Sequence, residues 1–251
     1  MNNNNNVVSR NSNKFINKIK KRVGKSGLGL VIGVIVLVMI LGLIYYFYNA
    51  SSISYSNNNP LWVDKPINAS TSMVRPKKVP NAANAYSFSY SLWIYVSDWN
   101  YKFGEDKTIF VRKNSLGVGP DSLSLGLYPK TNTLNARINT DKGPQTCDIK
   151  DIPLQKWVHI GYVVNNRNVD VYIDGKLERS CVLKGLPLMY RQDKVYIADN
   201  GGFYGQIGKF QFFSKSLTPT DIQNLYTSGP FDAKLFDINL FNRGQLITVD
   251  S

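Results

Sequence analysis

YSFSYSLWIYVS, residues 86–97, alternates along its length: Phe88, Tyr90, Leu92, Ile94 and Val96 fall on one face, and serines followed by Trp93 and Tyr95 on the other. A period of two is what a strand with one face on a core requires. Outward from it, apolar runs broken by turn residues recur at 107–112, 122–128, 133–139, 156–164, 168–173, 176–183, 194–198 and 205–213. About ten short strands in succession, with no helical period of comparable length, predict an all-β, two-sheet sandwich of jelly-roll type.

Two local motifs sharpen that expectation. Asp174-Gly175 lies between VDVYI and KLERS, and a two-residue type I′ turn needs positive φ at both central positions, which Asp and Gly tolerate. The resulting hairpin sets Tyr172 opposite Leu177. SLTPTDIQNLYTSGP, residues 216–230, reads as one short helix, with Thr218 as N-cap, Pro219 in the first turn, Asp221 near the positive dipole end and Gly229 beyond the last turn. Ile222 and Leu225 would pack it on the sandwich. Residues 231–251 contain Phe231, Leu235, Phe236, Leu240 and Phe241, too apolar for a free coil, and are expected to dock on the domain.

Upstream of the sandwich, residues 28–48 read LGLVIGVIVLVMILGLIYYFY, without charge or proline. A helix rises 1.5 Å per residue, so about 20 residues cross a ~30 Å hydrocarbon core. The run is too long, and too far from the start, for a cleaved signal peptide; a retained signal-anchor is expected. Arg10, Lys14, Lys18, Lys20, Lys21, Arg22 and Lys25 all precede it, while the following flank, NASSISYSNNNP, carries no charge, so the positive-inside rule puts residues 1–27 in the cytosol and the sandwich outside, in a lumen or on a virion membrane. Gly29 and Gly33 offer a close-packing face for a helix-mediated homodimer. Pro60, Pro66, Pro76 and Pro80 among Ser and Asn make residues 49–84 read as an extended stalk. Asn68-Ala-Ser70, clear of the bilayer, is the candidate glycosylation sequon.

The chain of 251 residues carries 30 Lys+Arg against 17 Asp+Glu, a net +13. Removing the seven basic residues before position 26 leaves 23 against 17, only +6 for the rest, well below the dense basic face of a nucleic-acid binder. Cys147 and Cys181 are the only cysteines and His159 the only histidine, which excludes four-thiolate zinc sites and histidine-rich metal centres.

Four blocks in order, FSYSLWIYV, KWVHIGYVV, VDVYIDGKLE and GGFYGQIGKFQFFSKSLTPTDIQNLYTSGP, resemble the laminin G-like domains of the concanavalin A-like lectin/glucanase superfamily over about residues 84–230, within a sandwich domain assigned to 85–230. The order of basic tail, single anchor and this domain, with TCDI before Trp157 and Cys181 after the hairpin, is similar to membrane proteins of large DNA viruses. The resemblance implies a jelly-roll fold and sets the chemistry to look for. Glycosidases of the superfamily carry carboxylates as E-x-D-x-E on one strand, since one group protonates the leaving oxygen while another attacks. Here the only glutamates are Glu105 and Glu178, and Asp148 and Asp151 do not have that spacing. His159 sits inside an apolar strand, where a packed histidine is expected rather than a catalytic base. No catalytic residue and no resident cofactor are therefore expected. Some relatives bind calcium through loop oxygens; Asp199 and Asn200, before Gly201-Gly202, are the candidates, although one carboxylate is few for an ion taking six to eight ligands. Trp99, Tyr101 and Tyr204 lie in loop contexts where rings can stack on sugars.

Cys147 and Cys181 share a compartment in which disulfides persist. Their bond would close a loop of about 35 residues, worth about 4 kcal/mol in the chain-entropy model, and would need a sheet-crossing topology; the alternative is two buried thiols. The expected function is a membrane-anchored, non-catalytic binding module that recognises a glycan or glycoprotein through the sandwich loops. The rivals are a structural envelope protein docking laterally to a shell, and a degenerate glycoside hydrolase dependent on Asp148 or Asp151.

Overall fold

The computed structural model describes residues 25–50, 56–71, 77–80, 86–114, 116–117, 119–190 and 192–231. They form two units, Met1–Ile53 and Ser54–Ser251. In the first, helix α1 (Lys25–Ala50) runs for 26 residues. Its side chains are described from Gly29 to Tyr45 without interruption, and the large apolar ones there are exposed. Among the described residues no helix is long and apolar enough to cross a membrane. The basic tail up to residue 24 lies outside the described residues.

The second unit is the expected two-sheet sandwich. Its long strand β4 (Ser87–Asp98) is the stretch with the two-residue period. The chain then lays down β5 (Lys107–Lys113), β6 (Leu123–Leu127), β7 (Leu134–Thr140) and β8 (Gly143–Ile149) as a meander in the opposite sheet. It crosses back for β9 (Trp157–Asn165), β10 (Asn168–Ile173) and β11 (Lys176–Val182), crosses once more for β12 (Lys194–Ile197), and returns for β13 (Tyr204–Phe213). Helix α2 (Pro219–Thr227) follows.

Segment 49–84 is not a stalk throughout. It contributes β1 (Leu61–Val63) and β2 (Ile67–Asn68), which pair with β13, and β3 (Lys77–Lys78), which pairs with β12. Val63, Ala69 and Val79 are buried, and the Trp62 ring lies 5.3 Å from Phe210 and 5.8 Å from Phe212. Proline lacks the N–H that a central strand needs but is tolerated beside an edge; Pro60 and Pro66 punctuate two short edge strands here. With these additions one sheet has seven strands, β1-β13-β4-β9-β10-β11 with β2 also on β13, and the other six, β3-β12-β5-β6-β7-β8.

Between the sheets, the inward face of β4 meets an aromatic layer. Tyr90 lies 4.9 Å from Phe110, and Phe110 lies 4.8 Å from Phe210, so rings of both sheets interlock. Fully burying such a side chain is worth roughly 1.5–3 kcal/mol. This layer also holds polar groups. Arg112 Nε donates to Asp193 Oδ2 at 3.1 Å, the Ser122 hydroxyl donates to the same oxygen at 2.6 Å, and the Tyr190 N–H donates to it at 3.1 Å. The Arg112 guanidinium also donates to the Tyr190 carbonyl at 3.2 Å. Tyr90 and Tyr162 have buried hydroxyls without a hydrogen-bond partner, and burial pushes both phenols above the usual tyrosine pKa.

The local motifs hold. Asp174 and Gly175 both have positive φ, 48° and 79°, and Tyr172 stands opposite Leu177. Thr218 caps α2 in a capping box with Asp221, and Ile222 and Leu225 are buried. Gly161 clears the space for α2: a Cβ there would come within 2.9 Å of the Ile222 side chain. The docking expected of 231–251 lies outside the described residues except at Phe231, whose ring meets Trp157 edge-on at 5.5 Å.

His159 is buried beneath α2, its ring 5.2 Å from Trp93 and 6.1 Å from Tyr226. Its Nε2 lies 2.9 Å from Ser91 Oγ, while Nδ1 has no partner. Burial lowers its pKa from 6.5 to about 4, with the Asp174 charge opposing. The unfolded chain therefore takes up a proton near pH 6.5 that the folded chain refuses until about pH 4. Stability should be intact above that window and fall by roughly 3 kcal/mol as pH drops through it. Thermal melts of wild type and His159→Gln between pH 4 and 8 check this: the wild-type slope should be steeper, and equal slopes would exclude the histidine as its source.

Candidate functional site

A polar groove runs across the outer face of the six-stranded sheet, over β5, β6 and β7. Its lining includes Asp106, Thr108, Ser124, Gly126, Asn135 and Arg137. Register brings them together: Thr108, Gly126, Asn135 and Asp148 form one row across four strands, and Ser124, Arg137 and Thr146 form the next. Gly126 is required there, since a Cβ would stand 2.8 Å from the Lys107 carbonyl oxygen. The missing side chain leaves a low point between Thr108 and Asn135. Lys107 itself is buried, its ammonium donating to the Lys102 carbonyl at 3.0 Å and lying 4.5 Å over the Trp99 ring. Burial, then the charge of Lys102, hold it below the ordinary lysine pKa. Arg137 is exposed and forms no ion pair with another described residue. Hydroxyls, an amide and a guanidinium on a rigid sheet are groups that bind hydroxyl-rich polar ligands.

Asp148, at the end of the first row, accepts a hydrogen bond from the Tyr128 hydroxyl at 3.0 Å, and its other carboxylate oxygen is buried without a partner. Burial, with that bond, raises the Tyr128 pKa. Asp151 lies beyond the end of β8, exposed and at φ 59°, where it turns the chain. One carboxylate is thus on the sheet and the other in a turn.

The loop oxygens considered for calcium have cationic partners from the protein. Asp199 pairs with Lys113 at 2.8 Å, a bond that raises the lysine pKa, and the Asn200 carbonyl accepts from the Lys102 ammonium at 2.5 Å. The Tyr101 hydroxyl donates to the Gly201 carbonyl at 3.1 Å. Among the described residues, no three His, Cys, Asp or Glu side chains are grouped to hold a metal. Tyr101 and Tyr204 do come together, ring centres 6.1 Å apart, with Tyr204 half exposed and Phe103 exposed on the same 99–106 loop as Tyr101. Trp99 instead packs against the core.

Asn68 is exposed, and its Oδ1 accepts from the Ser70 N–H at 2.8 Å and the Ser70 hydroxyl at 2.7 Å. Cys147 on β8 and Cys181 on β11 are bonded, with Cα atoms 6.0 Å apart. The bond joins the outermost strand of one sheet to the outermost strand of the other.

Sequence reasoning did not single out Ser124, Gly126, Asn135 or Arg137. The two-residue spacing of Ser124 with Gly126, and of Asn135 with Arg137, would have put each pair on one strand face. Only the register of β6 against β7 puts the four side by side.

A laminin G-like family profile, described as the concanavalin A-like lectin/glucanases superfamily, matches residues 69–223. No curated protein matches the sequence. Among solved structures, a point mutant of HCR/D aligns at 15% identity with a TM-score of 0.52, covering 70% of this chain and 53% of that one. The binding domain of botulinum neurotoxin DC in complex with rat synaptotagmin II aligns at 22% identity and TM-score 0.47, covering 58% and 37%. The botulinum neurotoxin serotype D binding domain aligns at 18% and 0.47, covering 60% and 39%. The chain spans less than two thirds of the length of each of these structures, and the likeness is one of fold.

Proposed function

The chain belongs to the concanavalin A-like lectin/glucanases superfamily, and from that premise we propose that it is a membrane-anchored, non-catalytic module that binds a glycan in the groove on its six-stranded sheet. The groove carries this reading: Thr108, Ser124 and Asn135 present hydrogen-bonding groups on three adjacent strands. Absence of turnover is supported by the separation of Asp148 from Asp151 in the fold, one on a strand and the other in a turn, because hydrolysis needs two carboxyls flanking the same bond. The anchor reading rests on the sequence of α1: its described side chains from Gly29 to Tyr45 extend only about 26 Å, whereas the whole uncharged run 28–48, helical throughout, extends about 32 Å, enough for the ~30 Å hydrocarbon core. With all seven upstream basic residues on one side, the tail stays in the cytosol and the sandwich is outside.

A glycan array probed with the full-length chain in detergent micelles tests the binding reading. Wild type should give reproducible hits, and Ser124→Trp, which fills the groove from an outward-facing position, should lose them at an unchanged melting temperature. No hits, or hits indifferent to the tryptophan, would reject the groove as the glycan site.

A further inference from the structure

Resting on the glycan reading of the groove, we propose that its ligand is an acidic glycan, whose carboxylate or sulfate is held by Arg137 while its ring hydroxyls meet Asn135, Ser124 and Thr108. The observation is the state of Arg137. It is an exposed guanidinium at the centre of a strand, with Ser124 on one side and Thr146 on the other in register, and with no ion pair among the described residues. Two basic groups beside this row are engaged: Arg179 donates to the Asp148 carbonyl at 2.7 Å, and Lys107 is buried on carbonyl oxygens. A planar fork of donors left free beside hydroxyls matches a carboxylate or sulfate, which it can bind with two parallel charge-assisted bonds. A neutral sugar would leave that charge unused.

The groove is also polarised. Asp106 lines it at the start of β5, and a carboxylate there repels a second anionic group and accepts from hydroxyls. The favoured ligand therefore carries its acid at Arg137 and hydroxyls towards Asn135 and Thr108, so a single acidic residue in an otherwise neutral oligosaccharide fits better than a uniformly charged polymer. The basic balance of the chain beyond position 26, 23 Lys+Arg against 17 Asp+Glu, attracts any polyanion weakly, and the test must separate that from the groove.

Isothermal titration of the full-length chain in micelles would compare three oligosaccharides of equal length: neutral, singly carboxylated and singly sulfated. The variants are Arg137→Gln, Arg137→Lys and, as a charge control outside the groove, Lys194→Gln. The expected result is binding of an acidic probe about tenfold or more tighter than the neutral one. Arg137→Gln should erase that preference, Arg137→Lys should keep part of it, and Lys194→Gln should leave it unchanged. Equal affinity for neutral and acidic probes would overturn the inference while leaving the groove a glycan site. Loss of preference in Lys194→Gln as large as in Arg137→Gln would overturn it too, as simple net-charge attraction. No binding of any probe would overturn both readings.

Discussion

Asp193→Asn should cost about 3–5 kcal/mol, because removing one partner of a buried ion pair leaves the other charge uncompensated. For a domain of this size that lowers the melting temperature by roughly 10 °C or more. The carboxylate is fully buried and Arg112 nearly so. One carboxylate oxygen gathers three donors, from Arg112, Ser122 and Tyr190, and the asparagine amide cannot replace all three with the same charge. Arg112→Met alone should cost as much, since it strands the carboxylate. The double replacement Arg112→Met/Asp193→Leu removes both desolvation penalties and should recover most of the loss. Thermal melts of the three variants measure this. A mild effect in both single variants would mean that water reaches the pair.

Cys147→Ser should lower stability by about 4 kcal/mol, the entropy that the 34-residue separation removes from the unfolded chain in the chain-entropy model. Cys147→Ser/Cys181→Ser should cost little more than either single change, because one bond is lost in each case. The same bond reports on the compartment. Full-length protein made in membranes should migrate faster without reductant, with the sandwich open to protease from outside. A protected domain with two free thiols would reverse the proposed topology. Denaturant midpoints with and without reductant supply the energetic half of the test.

Much of the architecture could be read from local pattern, since its causes lie within a few residues of one another. The alternation of β4, the Asp174-Gly175 turn and the Thr218–Asp221 capping box each depend on neighbours in sequence. The edge strands were harder. β1, β2 and β3 have two or three residues each, too short to display a period, and their pairing with β13 and β12 is decided by tertiary contact. β8, GPQTCDI, carries a proline and is mostly exposed or half exposed in its first four residues, so no apolar alternation announces it. Arg112 and Asp193 lie 81 positions apart, and nothing near either one marks it as half of a buried pair. The groove was invisible for a related reason: strand alternation gives the face of each residue, but the register across β5, β6 and β7 decides which faces adjoin. The disulfide was legible because only two cysteines exist, which reduces pairing to a single choice.

The position of that disulfide also decides how the domain responds to tension. Chain entering from the N-terminal side joins the sandwich at β1 and β2 on β13 and at β3 on β12, whereas the Cys147–Cys181 bond lies across β8 and β11, the opposite margin of both sheets. A pull arriving along the N-terminal chain meets pairings of two or three residues first and opens them one hydrogen bond at a time. The far margin is covalently closed and cannot splay. Stretching from that side should therefore unzip these short strands before it disturbs the β5–β8 meander.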